Sequence, residues 1–349
     1  MTTRRNRIST VEQLMQANLV PASSANHLEQ VAAKYSVAIS PAMQAAMLAE
    51  DGTSVSRQFV PTELELVHHP SELSDPIGDS SHSPVPGMTH RYPDRALLMP
   101  LLVCPVYCRF CFRREVVGQD TGLLSREALG RAFDYIRSQP GIWEVILTGG
   151  DPGILSPKRL NYILAELERI EHVQNLRIHT RVPVVAPEHV TKEFCDALVR
   201  NTPVWVVIHV NSAEELSGEA KEALAMMNRC GIPLLSQTVL LRGVNDTAEQ
   251  LESLFRELVR NRVRPYYLHQ LDLASGTGHF RVPIEEGQAL MRQLRGNVSG
   301  LCLPQYMLDI PGGRGKVPID VGMIERMQDA WIVESPLGGR HQYIEPSPW

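Results

Sequence analysis

The sequence predicts an α/β protein: a partial (β/α)6 TIM-like barrel with a helical N-terminal region. Three observations lead there. From residue 96 onward, short apolar runs alternate with amphipathic helical windows, the pattern of parallel strands joined by crossover helices. Six strand runs are present, too few for a closed eight-fold barrel and suited to an open one. The first sixty or so residues read as helix alone. From periodicity alone a doubly wound sheet fits equally well. In both folds functional side chains gather at the C-terminal ends of the strands.

Taken in order, Thr10 caps a helix over VEQLMQANL, with Glu12 and Gln13 in its first turn. HLEQVAAKY and SPAMQAAMLAE continue the helical region. Residues 70–90 are rich in Ser, Pro, Gly, Asp and His without periodicity, and read as a long connecting loop. The strand candidates are ALLMPLLV, EVILTG, LRIHTR, VWVVIHV, LLSQTVLL and RPYYLHQL. Helices are expected near 125–138, 157–170, 187–200, 213–229 and 247–261. The chain then divides into a helical region and loop (1–90), the barrel (91–320) and a C-terminal tail (321–349).

With 349 residues, 43% hydrophobic and 21% charged, the composition is ordinary for a globular protein. A net charge of -5 lacks the basic surplus of a nucleic-acid binder. The N-terminus MTTRRNRIST has no apolar core of a secretory signal, and the longest apolar stretch, Ala96 to Val106, is too short for a membrane helix. A cytoplasmic protein with no nucleic-acid or membrane partner is expected. Of six cysteines, three lie close together; Cys195, Cys230 and Cys302 are scattered and read as small buried hydrophobes, not a disulfide framework.

The close three form Cys104-Pro-Val-Tyr-Cys108-Arg-Phe-Cys111-Phe-Arg113, just after the first predicted strand. Thiolates favour zinc and iron–sulfur clusters. A structural zinc site wants four ligands, and no fourth is evident. A [4Fe–4S] cluster on three cysteines leaves one iron open to a substrate or cofactor. A zinc knuckle completed by a distant His is the alternative. So is a non-catalytic iron–sulfur electron-transfer protein. A second glycine-rich run, Asp309-Ile-Pro-Gly312-Gly313-Arg-Gly315-Lys316, departs from a Walker A loop in spacing and lacks the following Ser or Thr. Its Lys could bind phosphate, form a Schiff base, or simply be solvated.

The Cys-x3-Cys-x2-Cys motif resembles the signature of the radical S-adenosylmethionine superfamily. Gly149-Gly150-Asp151-Pro152, after the second predicted strand, is similar to that superfamily's segment for the methionine amino group. Over roughly Gly87 to Ile344 the chain resembles the lysine 2,3-aminomutase family. The matching segments are His90–Arg95, the cysteine motif, Thr148–Asp151, Gln237–Asp246, Asp272 through Gly278–Arg281, and Asp309–Lys316. The resemblance implies a cluster on Cys104, Cys108 and Cys111, S-adenosyl-L-methionine near Gly149, Gly150 and Asp151, and pyridoxal 5'-phosphate carried by Lys316. Arg91, Arg95 and Gln237 are expected to seat pyridoxal phosphate, and Arg113 to take the substrate α-carboxylate, for which a bidentate guanidinium is suited. Asp272 and Asp309 are expected to bind the distal ammonium of lysine. Two buried carboxylates repel unless a cation lies between them, so lysine fits better than glutamate.

The implied reaction is a radical 1,2-amino migration from L-lysine to β-lysine (3,6-diaminohexanoate), an isomerisation. Expected partners are lysine, an unidentified electron donor and, as an open option, further copies of the chain in a homo-oligomer. The longer members carry C-terminal cysteines that bind zinc; no cysteine follows Cys302 here, and no such site is expected. Phe110-Cys111-Phe112 also resembles the shorter relatives that modify lysine for elongation factor P, which lack the Asp-x-Pro-Gly-Gly pattern kept here. That branch, and an aminomutase for another amino acid, are the enzyme alternatives.

Overall fold

The computed structural model describes residues 6–49, 52–118, 122–320, 322–327, 330–336 and 339–344. The basic start of the chain, residues 1–5, and its last five residues lie outside the described residues. In the N-terminal region Thr10 accepts from the Gln13 N–H at 3.2 Å and caps the helix Val11–Gln16. Helices Ala25–Lys34, Pro41–Met47 and Thr53–Phe59 follow. Among the described residues no helix is long and apolar enough to cross a membrane.

One nine-stranded sheet forms the body. Its strands are β1 (Met88–Tyr92), β2 (Arg95–Leu101), β3 (Glu144–Gly149), β4 (Asn175–Thr180), β5 (Val204–His209), β6 (Leu234–Val239), β7 (Arg264–His269), β8 (Gln305–Asp309) and β9 (Lys316–Pro318). They lie side by side in chain order. β2 through β8 run parallel, and β1 and β9 close the two edges antiparallel. A doubly wound sheet reverses its strand order at a switch point. This sheet never reverses, so its crossovers carry their helices to one face and leave the other as the lumen of an open barrel. The six expected strands are β2 to β7, each within about two residues of its sequence boundary. β1, β8, β9 and the helix Ile284–Asn297 were not among the expected elements.

The helix Ala248–Arg260 shows how the outer layer forms. Thr247 and Gln250 make a reciprocal capping box. Leu251, Leu254, Phe255 and Leu258 recur at helical spacing and are fully buried. Burying each contributes about 1.5–3 kcal/mol before conformational entropy is counted. The outward face carries the Arg256–Glu252 pair at 2.7 Å. Within residues 321–349, β10 (Ile324–Arg326), β11 (Trp331–Glu334) and β12 (Arg340–Tyr343) pair antiparallel as a small separate sheet.

Candidate active site

The loop leaving the C-terminal end of β2 carries Cys104, Cys108 and Cys111, all half-buried. The end of β3 holds this loop in place. Gly150 N–H donates to Leu101 O at 2.8 Å, and Asp151 N–H to Val103 O at 2.9 Å. A Cβ at Gly150 would lie 2.3 Å from the Val103 carbonyl oxygen, so only glycine permits this approach. The Asp151 carboxylate accepts from Gly153 N–H (2.9 Å), the Thr180 hydroxyl (2.5 Å) and Arg181 N–H (2.7 Å). Its oxygens thus tie β3 to β4.

Burial pushes the Cys104 thiol well above the ordinary range, and Asp151, Cys111 and Cys108 push the same way. Burial and then Cys108 bring Cys111 up to about 11. Burial also raises Cys108, against the Arg181 guanidinium, which donates to its sulfur at 2.9 Å. Burial thus makes all three thiols resist ionisation despite Arg181; it is as thiolates that they would bind iron. Among the described residues no three His, Cys, Asp or Glu side chains could hold a single metal ion. A four-iron cluster is wider and takes its thiolates on separate irons.

Two buried ionic networks brace this loop. Arg181 donates to Gln58 Oε1 at 2.6 Å and pairs with Glu215 at 2.5 Å. Glu215, fully buried, also accepts from Gln58 (2.9 Å) and from the N–H groups of Asn211 (2.8 Å) and Ser212 (2.9 Å). The network joins the N-terminal region to the ends of β4 and β5. In the second, Glu65 receives Arg109 (2.6 Å) and Arg114, with both arginines and the carboxylate sealed from water. Arg109 also reaches Ser36 O (2.7 Å), and Arg114 reaches Gly276 O (3.0 Å).

Across the lumen, the antiparallel register sets Asp309 opposite Lys316, and the Lys316 ammonium contacts the Asp309 carboxylate. Arg91 lies 3.4 Å from Asp309 and donates to Ile77 O at 2.7 Å. Arg113 donates from Nε to Asp79 at 2.7 Å. Asp272 follows β7. Burial brings its carboxyl up to about 6, against the pull of Lys316, Arg113 and Arg91. A third of the Lys316 side chain stays open. Desolvation nonetheless brings its amine down to about 8; Asp272 opposes this and Arg91 and Arg113 add to it. The contacting Asp309 carboxylate also favours the ammonium.

Arg91, Arg113, Asp272, Asp309 and Lys316 therefore converge. Arg95 stands at the rim with its side chain 34% exposed, paired with Asp94 at 2.7 Å and lying 3.7 Å over the Tyr92 ring. Tyr92 in turn accepts from the Lys316 N–H at 2.7 Å. Gln237 sits on β6 in register with His209 on β5 and Tyr267 on β7. Burial holds His179, His209 and His269 well below their ordinary value, so their imidazoles are neutral. The Nε2 atoms of His179 and His209 are buried without a partner among the described residues.

A family model described as the Radical SAM superfamily matches residues 99–258. The chain is 40% identical to an L-lysine 2,3-aminomutase of Clostridium subterminale, over 98% of this chain and 83% of that one. The chain belongs to the lysine 2,3-aminomutase family of radical S-adenosylmethionine enzymes. An L-lysine 2,3-aminomutase of Acetoanaerobium sticklandii is 40% identical over 90% of this chain and 76% of its own. A glutamate 2,3-aminomutase of Clostridioides difficile is 35% identical over 90% and 74%.

As a member of this family the chain is an isomerase, a radical aminomutase. It uses a [4Fe–4S] cluster and S-adenosylmethionine, and acts on a small-molecule substrate, an amino acid. Sequence reasoning missed Asp79, Arg181, Glu215, Gln58 and Glu65. Arg109 and Arg114, which stand on either side of Cys111, were the one signal available for the buried networks.

Proposed function

We propose that the chain is an L-lysine 2,3-aminomutase that also depends on pyridoxal phosphate and yields β-lysine. One observation carries this: Lys316 places an ammonium against Asp309 and near Asp272. Once that amine is committed to pyridoxal phosphate, the two carboxylates lose their ammonium and keep only the guanidinium of Arg91, 3.4 Å from Asp309, and the more distant pull of Arg113. The distal ammonium of lysine replaces the one lost. The side chain of glutamate would add a third carboxylate.

The residues fit the groups the reaction needs. Three thiols on one short loop suit a cluster that keeps one iron open. An amine brought down to about 8 is partly neutral near physiological pH, as carbonyl attachment requires. The unpartnered Nε2 atoms of His179 and His209 suit a polar guest in the lumen.

When bound, the cluster and S-adenosylmethionine supply a hydrogen-abstracting radical, and pyridoxal phosphate supplies a conjugated ring that eases nitrogen migration. The chain does the rest. Cys104, Cys108 and Cys111 hold the cluster, and Gly149, Gly150 and Asp151 shape the seat beside it. Lys316, Arg91, Arg95 and Gln237 seat pyridoxal phosphate. Arg113 takes the α-carboxylate, and Asp272 and Asp309 fix the far end, so the substrate is held at both ends. Residues 91–320 form the catalytic barrel, and the N-terminal region braces the cysteine loop.

The test is turnover of single amino acids by anaerobically reconstituted, reduced enzyme with both cofactors, read by NMR. L-lysine should give β-lysine. Conversion of L-glutamate without conversion of L-lysine refutes the assignment.

A further inference from the structure

Residues 75–83 read as connecting loop in sequence, yet they are built into the site. The Asp75 carboxylate accepts from the N–H groups of Asp79 (2.9 Å) and Ser80 (2.9 Å) and from the Ser80 hydroxyl (2.5 Å). Gly78 has φ +67, and a Cβ there would lie 2.6 Å from Gly313 N. Gly312 N–H donates to Pro76 O at 3.4 Å. The loop is thus closed on itself and pressed against the glycine-rich turn that precedes Lys316.

This placement delivers Asp79 between two arginines. Its Oδ2 accepts from Arg113 Nε at 2.7 Å and lies 2.7 Å from Arg113 Nη2. Its Oδ1 stands 3.7 Å from Arg91 Nη2. Arg91 continues to Asp309, and Asp309 to Lys316. Charge alternates along the row Arg113, Asp79, Arg91, Asp309, Lys316. A guanidinium is planar and has two usable forks. Asp79 takes the Nε/Nη2 fork. Among the described residues no acceptor lies within hydrogen-bonding distance of Nη1.

We propose that Asp79 is a positioning residue for substrate recognition: it fixes one edge of Arg113 so that the outer Nη1/Nη2 edge faces the substrate α-carboxylate. This rests on Arg113 being the α-carboxylate acceptor, as assigned above. A long, flexible arginine loses rotamer freedom on binding a ligand. Holding one fork in advance removes part of that loss. Arg91 on the far side of Asp79 offsets its negative charge, so Arg113 stays attractive to a second carboxylate.

The test uses full-length Asp79→Asn and Asp79→Glu proteins loaded with pyridoxal phosphate but without S-adenosylmethionine or reductant. Calorimetry compares L-lysine with 1,5-diaminopentane, the same diamine without the carboxylate. Asp79→Asn should weaken lysine binding about tenfold and leave the diamine unchanged. Asp79→Glu, which keeps the carboxylate, should recover most of the loss. In turnover, KM for lysine should rise more than kcat falls. Lysine binding that is unchanged or tighter in Asp79→Asn overturns the inference, because Asp79 is then a bystander or a competitor. Equal loss for lysine and the diamine also overturns it, since the loop would then be merely structural. Failure of the wild-type protein to bind lysine refutes lysine as the substrate instead; normal wild-type binding with an indifferent variant refutes only the role of Asp79.

Discussion

Replacing Asp272 by asparagine tests the two-carboxylate site through stability as well as activity. Burial takes its carboxyl from 3.8 to about 6 even with Lys316, Arg113 and Arg91 nearby. The folded state therefore binds more protons than the unfolded state between those values. Stability falls as pH rises through that window, and the penalty is complete above it. A tenfold change in proton affinity is worth about 1.4 kcal/mol, so keeping Asp272 ionised at pH 8 costs the fold at most about 3 kcal/mol. That ceiling is already net of the attraction to Lys316, and because the side chain is not wholly sealed, solvent screening reduces the expected gain of Asp272→Asn to about 1 kcal/mol. Urea unfolding of the apoprotein should show that gain at pH 8 and a smaller one at pH 5. Lysine KM should rise at least about tenfold, because a buried ammonium loses one charged partner. Equal destabilisation at both pH values, or an unchanged KM, refutes the reasoning.

Three further outcomes are expected. Lysine affinity should fall below about pH 6 as Asp272 protonates, and binding near pH 6 should release a proton, read as a buffer-dependent calorimetric heat; no buffer dependence contradicts this. Borohydride reduction of enzyme loaded with pyridoxal phosphate should label Lys316, with attachment accelerating through about pH 8; label on another lysine rejects the assignment. Glu65→Gln strands two sealed guanidinium groups and should destabilise by about 3–5 kcal/mol in urea unfolding; a loss under about 1 kcal/mol means that the network relaxes freely.

The strands that could be read from sequence are the inner parallel ones, whose apolar residues fill the core. EVILTG and VWVVIHV are apolar-rich runs, and they became β3 and β5. The two edge strands and β8 beside one of them could not be read because polar functional residues interrupt them. β1 holds Arg91, β8 ends in Asp309 and β9 begins with Lys316. Polar residues at functional positions break the pattern that marks a strand. Local spacing exposed the three cysteines and the glycine pair, because cluster ligation and close backbone approach act over a few residues. Asp79 had no such signal. Its place depends on a loop closing against Gly312 and Gly313, more than two hundred residues away. Arg181, Glu215 and Gln58 likewise meet only through the fold.

Recognition of the distal ammonium is most directly tested by comparing kcat/KM for L-lysine with that for L-2-aminoheptanoate, which replaces the ammonium with a methyl group of similar size. The analogue leaves Asp272 and Asp309 without the ammonium they are proposed to bind, and the site should reject it by about a thousandfold or more. Values within about tenfold of each other would contradict the assignment, because a site reading only chain length discriminates that weakly.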